Sequence, residues 1–304
     1  MGFRRETIND LLTFHIVFGK SVPDVSLNAI ANLGYASVRF VRTVYPGDTL
    51  SATSEVVGRR ESSTGDSGVV WVHTVGRNQN NDAVLEFYRW ILVRKRTPGL
   101  TNDPDETPDL PKEVAPGDLV VPEELDLSRF DPTATGGRWF WEDYAPGQRI
   151  THPQGMTLEE AEQQIVTRLY QNTARAHFNA LEMSRSRFGR RIIYGGHIIS
   201  VARALAYDGL ENALTILAWN GGAHSNPTVA GDTLFAWTEV LDRIDLGRKD
   251  CGALRLRLVG VKNHDPNAES IPLKVQDERG RDVYHPNVVL DLDYVALIPR
   301  RPAR

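Results

Sequence analysis

Asn172 and His177 stand five residues apart, and behind them come the Arg190-Arg191 pair and the glycines Gly195-Gly196. A histidine takes up a proton and returns it near neutral pH, because its unperturbed pKa lies there. The amide of Asn172 can hold a water or orient the ring, but it cannot take a proton itself. Gly195-Gly196 lead into the helical run HIISVARAL, so free backbone N–H groups at that helix start could hold a developing oxyanion. Guanidinium groups of Arg175, Arg190 and Arg191 suit phosphates or a carboxylate, and His197 is close enough to the glycines to join them as a substrate-binding candidate. The chemistry that such a set supports is proton transfer beside a stabilised oxyanion. Each group also has a plainer use: a histidine near a helix end packs or caps, paired glycines make a tight turn, and single arginines are solvated.

Several elements must position these groups. Thr157-Leu158-Glu159-Glu160 reads as a capping box that starts a helix, with Ala161, Ile165 and Leu169 as the stripe to be buried. Five residues are about 140° around an ideal helix, so Asn172 and His177 converge only where that helix ends or kinks between them. Upstream, residues 11–22 read as a largely buried helix stopped by Pro23. Strands follow at 36–44, 49–57, 68–75 and 84–93, the last two joined by the turn Asn80-Asn81-Asp82. Seven prolines break the acidic segment 97–138, which reads as a solvated tether. The aromatic run from Trp139 to Tyr144 is expected to be core or interface rather than a base-stacking platform.

The second half repeats the first. GDTLSATSEV at residue 47 returns as GDTLFAWTEV at residue 231, and Gly68 and Gly76 bracket a strand as Gly252 and Gly260 do, both at an offset of 184. Alternation of Leu254, Leu256 and Leu258 with Arg255 and Arg257 marks a half-buried strand. Val84-Leu85-Glu86 matches Val289-Leu290-Asp291, which implies an insertion around residues 264–287. His15-Ile16-Val17 matches His197-Ile198-Ile199 at an offset of 182, a symmetry that favours a structural role for both histidines. Two copies of one fold are therefore fused. They occupy residues 1–96 and 139–304, with 97–138 between them. The first copy lacks about 43 residues that precede His197 in the second, so it is read as truncated at its N-terminus. A late start is the preferred explanation, since a sheet curved around a missing helix would expose an apolar face.

A helix leading into an antiparallel sheet, doubled, with VYPGDTL opening a strand, resembles the MaoC-like (R)-specific enoyl-CoA hydratases of the hotdog fold. The longer runs LLTFHIVFGKSVPDVSLNAIANLGYA, TRLYQNTARAHFN and FGRRIIYGGHIISVARAL resemble the mesaconyl-CoA hydratases among them, over nearly the whole chain. The resemblance implies an α+β double hotdog and reversible syn addition of water to an enoyl-CoA thioester. It also implies no metal and no redox cofactor, the CoA being part of the substrate, and a homodimer. The superfamily pattern of an aspartate five residues before a histidine, then a glycine, falls on Asn172, His177 and Gly195. The asparagine departs from it. On this basis His177 is the expected acid/base, Asn172 positions water or the histidine, and Gly195-Gly196 stabilise the thioester oxygen. An acyl-CoA thioesterase of the same fold and a non-catalytic acyl-CoA-binding protein are the other readings.

Composition sets limits. With 41% hydrophobic residues and a net charge of -4, the chain has material for cores and no charge excess suited to nucleic acid or an anionic membrane. The single cysteine, Cys251, cannot form an internal disulfide and is expected to be inert. Without an apolar run long enough to span a bilayer, a cytoplasmic location is expected. Asn220-Gly221-Gly222-Ala223-His224 reads as a loop near the pocket or an ordinary turn.

Overall fold

A computed structural model describes residues 2–27, 29–99 and 104–302. Helix α1 (Asp10–Val25) begins where the Asn9 side chain accepts the Leu11 N–H at 2.9 Å, and it buries Phe14, Val17, Phe18 and Val22. It runs past Pro23 instead of stopping there. Only two helical residues follow the proline, and Ser26 N–H reaches Val22 O at 2.8 Å to close the last turn.

Four strands follow: β1 (Ala29–Phe40), β2 (Ser51–Glu61), β3 (Ser67–Arg77) and β4 (Ala83–Arg94). The first therefore begins seven residues before the expected position and ends at Phe40. After a short helix α2 (Pro132–Thr135) come β5 (Arg149–Thr151), β6 (Met156–Thr157), α3 (Glu160–Leu169), α4 (Arg175–Phe178), α5 (Ala180–Met183) and α6 (Gly195–Leu205). The chain closes with β7 (Thr215–His224), β8 (Thr233–Ile244), β9 (Cys251–Lys262), the hairpin β10 (Lys274–Gln276) and β11 (Asp282–Tyr284), and β12 (Val288–Pro299). That hairpin lies in the insertion expected at 264–287.

All strands but the hairpin form one ten-stranded sheet in the order β2-β3-β4-β1-β7-β12-β9-β8-β5, with β6 also on β8. The halves join where β1 and β7 pair antiparallel, Tyr35 opposite Gly222 and Val38 opposite Trp219. Each half wraps a helix: α1 lies against β2, β3 and β4, and α6 against β8 and β9. Side chains of both helices share one apolar core. The first half thus has its central helix, in the place expected from the match of His15 to His197, and the apolar face of its sheet is covered. On β9, Leu254, Leu256 and Leu258 are buried, while Arg255 pairs with Asp293 at 2.8 Å and Arg257 with Asp291 at 3.4 Å on the other face.

Segment 104–138 is not a solvated tether. Leu125 is 5% exposed in a second apolar cluster with Leu217, Ala253 and Val295, Glu106 pairs with Arg59 as a β-bridge, and Val114 N–H donates to Asn220 Oδ1 at 2.8 Å. Spaced leucines and valines among its prolines give it an apolar edge that composition averaging hides. The stripe expected on α3 is likewise reversed: Ile165 and Leu169 are 47% and 66% exposed, and Gln163 and Thr167 are the buried pair. Thr157 does not cap this helix; it lies in β6 with its hydroxyl on that of Thr233 at 2.9 Å. Phe140 and Tyr144 are buried, and the Trp141 Nε1–H donates to Ala253 O at 2.9 Å, so these three rings are packing, whereas Trp139 is 51% exposed.

Two fully buried histidines bear on acid stability. Burial lowers the pKa of His15 to about 3, helped by His197, and burial lowers that of His152 to about 4. Between these values and the unfolded value near 6.5 the unfolded chain binds the extra protons, so stability falls as pH falls. Unfolding free energies from urea titrations are expected to drop from about pH 6.5 downward, by about 1.4 kcal/mol per pH unit for each imidazole, with the midpoint falling in step. A flat midpoint between pH 7 and pH 5 would contradict this.

Candidate active site

Helix α3 ends at Leu169, and Gln171 turns the chain with a φ of 57°, so Asn172 sits in a loop before α4. The geometric condition for Asn172 and His177 to converge is therefore met, and both line one cavity. Gly19 on α1 seats the loop: a Cβ there would lie 1.7 Å from the Tyr170 carbonyl oxygen, so only glycine allows this approach. Asn172 is 4% exposed, and its Oδ1 accepts the Ala174 N–H at 3.0 Å. The remaining group of the amide, Nδ2, is a donor.

His177 is held from two sides. Its Nδ1 lies 3.1 Å from Ile192 O, and since a carbonyl only accepts, Nδ1 carries the proton and Nε2 holds the lone pair. Burial lowers its pKa, partly opposed by that hydrogen bond, so the ring is neutral at pH 7. Gln163 pins the backbone around it, with Nε2 donating to His177 O and Oε1 accepting Tyr194 N–H at 3.2 Å. This is why Gln163 is buried where an apolar stripe was expected.

Gly195 and Gly196 open α6, with Tyr194 at the N-cap giving no side-chain hydrogen bond. The first N–H groups of a helix have no acceptor within it, so both amides are free of intrahelical bonds. A Cβ at Gly195 would stand 2.6 Å from Cε1 and Nε2 of His224, and one at Gly196 would stand 2.4 Å from the Tyr194 ring. Tyr194 is in turn fixed through its hydroxyl, 3.3 Å from Nδ1 of His15, whose Nε2 is 2.7 Å from Ser200 Oγ. His15 thereby acts as a prop beneath the site.

The cavity has a volume of about 320 Å³ and is built from both halves: Phe18, Asn32 and Tyr35 from the first, Asn172, His177 and Gly195 from the second. Gly196 is adjacent but not on its wall. His224, expected in a loop or turn, is the last residue of strand β7 and lines the cavity; its Nε2 is 3.4 Å from the Tyr35 hydroxyl. Burial lowers its pKa to about 4, with His177 adding to the effect. No sequence signal singled out Tyr35, Tyr194 or Gln163, because each acts through a fold contact far along the chain.

The proposed substrate-binding residues are dispersed. Arg175 is exposed with Glu182 at 3.6 Å, Arg190 donates to Ala230 O at 2.9 Å, and Arg191 is engaged by Glu160 at 3.0 Å. His197 is 4% exposed, 3.9 Å from the Glu162 carboxylate, and away from the cavity wall. Arg187, not singled out in the sequence, is the exposed arginine that lines the cavity.

Two antiparallel half-sheets, each wrapped on one helix and fused into a single sheet, with a histidine and a glycine helix start facing one cavity, define a double-hotdog protein of the MaoC-like class. A matching crystal structure, of a MaoC domain protein from Chloroflexus aurantiacus, has a TM-score of 0.91 at 52% identity, covering 97% of this chain and 83% of that one. A double-hotdog protein of Mycobacterium tuberculosis has a TM-score of 0.70 at 24% identity over 97% of this chain and 82% of its own, a likeness of fold alone. The family model described as mesaconyl-CoA hydratase matches residues 1–270, and the chain belongs to that family. Its relatives include the β-methylmalyl-CoA dehydratase of Chloroflexus aurantiacus, 52% identical over 99% of this chain and 84% of that protein. The mesaconyl-CoA hydratase of Cereibacter sphaeroides is 50% identical over 98% of this chain and 84% of its own.

Proposed function

We propose that this protein reversibly adds water to mesaconyl-CoA, giving β-methylmalyl-CoA, in the cavity of Asn172, His177 and Gly195. The observation that carries this reading is the 3.1 Å contact between His177 Nδ1 and Ile192 O: a carbonyl only accepts, so the proton belongs on Nδ1 and Nε2 keeps its lone pair, in a cavity that the start of α6 also lines. The thioester oxygen accepts a hydrogen bond from the Gly195 N–H, the amide of the pair whose residue lies on the cavity wall. Water sits between Asn172 Nδ2, which donates to it, and His177 Nε2, which accepts from it. As the oxygen bonds to the β-carbon, His177 takes the proton and the π electrons move to the thioester oxygen. The imidazolium then returns a proton to the α-carbon from the same face, and the burial that disfavours the charged ring favours this return. Because the thioester itself activates the double bond, the reaction needs no metal or redox cofactor.

Arg187 is placed to meet the phosphates of CoA at the cavity mouth, whereas Arg190 and Arg191 have other partners. The exposed Ile165 and Leu169, one turn apart on α3, give an apolar strip suited to the homodimer that the resemblance implies. Among the described residues no helix is long and apolar enough to cross a membrane. The test is loss of enoyl absorbance from mesaconyl-CoA with a thiol reagent present. Absorbance is expected to fall without release of thiol; thiol release would make the protein a thioesterase, and binding without change would make it an acyl-CoA-binding protein.

Asn172→Asp gives a sharper check on the roles. The carboxylate keeps an acceptor for Ala174 N–H and puts a negative charge on the wall that His177 shares, favouring the imidazolium. The acid limb of the kcat/KM profile is expected to move up by about one pH unit or more. An unmoved limb would separate Asn172 from the titrating base.

A further inference from the structure

Arg89 on β4 is the one arginine with no exposed surface among the described residues, and among these residues no carboxylate pairs with it. Its Nη2 donates to Ser21 Oγ at 2.9 Å and toward Ser21 O at 3.4 Å, near the C-terminal end of α1. Its Nε and Nη1 have no partner. A buried cation without a counter-charge is costly, and a guanidinium kept only to cap α1 would leave most of its donors unused. Burial lowers its pKa to about 10, so it stays charged at neutral pH.

The unpartnered groups are grouped. Arg89 stands opposite Tyr35 in the β1–β4 ladder, and Asn32 stands opposite Ile91, two residues along from Arg89, so these side chains belong to one face of the sheet. Both the Oδ1 and the Nδ2 of Asn32 lack partners, as does Ser26 Oγ, at the C-cap of α1. Asn32, Ser26 and Tyr35 all line the cavity, at the end made by the first half, while His177 and Gly195 come from the second. Phe18, also on the wall, covers the Arg89 guanidinium at 4.4 Å.

We infer that Arg89, with Ser26 and Asn32, forms a subsite for the free carboxylate at the end of the acyl group remote from sulfur, reached when the Phe18 ring turns aside. This deepens the hydratase reading and rests on it. The thioester lies on the Gly195 amide, the double bond lies beside His177, and the carboxylate points into the first half, where the guanidinium and two neutral hydrogen-bonding groups receive it. A dicarboxylyl thioester is thereby selected over a monocarboxylyl one.

The test compares kcat/KM for mesaconyl-CoA and for tiglyl-CoA, in which a methyl group replaces that carboxylate. Wild-type protein is expected to favour mesaconyl-CoA by about 10² or more, and Arg89→Gln to lower that ratio by about 10²-fold, the scale of an unpaired buried charge. Asn32→Asp, on the cavity wall, is expected to lower the ratio at least about tenfold by like-charge repulsion, and it decides the matter if Arg89→Gln does not fold. Equal wild-type turnover of the two thioesters would leave hydration standing and remove the subsite. A ratio unchanged in the variants, with both rates falling together, would make Arg89 a folding residue. Hydration of neither thioester would remove the parent reading as well.

Discussion

Replacing His177 with glutamine is expected to lower kcat for mesaconyl-CoA hydration by about 10³-fold, within the range typical of a lost general acid/base. Substrate affinity should change little, because the thioester is held by backbone amides and the CoA portion. The reason for a large effect is that no neighbour can substitute. Asn172 presents a donor to the cavity, since its Oδ1 is occupied by Ala174 N–H. His224 is near, but burial and His177 depress its pKa to about 4, making it a weak base, and its Nε2 faces the Tyr35 hydroxyl. Glutamine keeps an N–H donor of similar reach for Ile192 O, so the loss can be assigned to the base itself and not to loop collapse. A fall of less than tenfold, with unchanged unfolding temperature, would move the base elsewhere, His224 being the first candidate.

Gly195→Ala is expected to cost about 10²-fold in kcat, the scale of one misplaced oxyanion donor. The mechanism is steric. The new Cβ would stand 2.6 Å from the His224 ring, which is the end of strand β7 and cannot retreat along the backbone. Either the ring turns or the start of α6 shifts, and a shift moves the N–H groups off the thioester oxygen. Adding His224→Ala to the variant removes the obstacle, so the double variant should recover part of the rate lost by Gly195→Ala alone. Rates that fall additively would locate the effect somewhere other than this contact.

What could be read from the sequence was what repeats or what punctuates. The Gly-Asp-Thr-Leu strands and the His15 to His197 match placed two like halves, and the structure fuses them into one sheet through β1 and β7. Asn172 and His177 could be paired only under a stated condition, a break after the helix, and Gln171 supplies it. The helix α3 misled because its apolar stripe was read as the buried face. Its inner face is Gln163, whose hydrogen bonds position His177 and Tyr194, and Thr167, whose hydroxyl donates to Gln163 O at 2.6 Å, and hydropathy carries no signal for that. Segment 97–138 misled because acidic and proline content was averaged over a chain whose leucines touch the sheet. His224 and Tyr35 are brought to the cavity wall, and Arg89 to a buried place opposite Tyr35 behind Phe18, by strand pairing between distant segments, and single-sequence spacing cannot register such contacts.

The most direct measurement is proton NMR of mesaconyl-CoA incubated with the protein in deuterium oxide. Hydration at this cavity predicts a product with a hydroxyl-bearing β-carbon and one deuteron on the α-carbon, added from the same face, and no free CoA. Free CoA with unhydrated mesaconate, or a deuteron and hydroxyl on opposite faces, would contradict a single histidine acting as both base and acid beside the Gly195 amide.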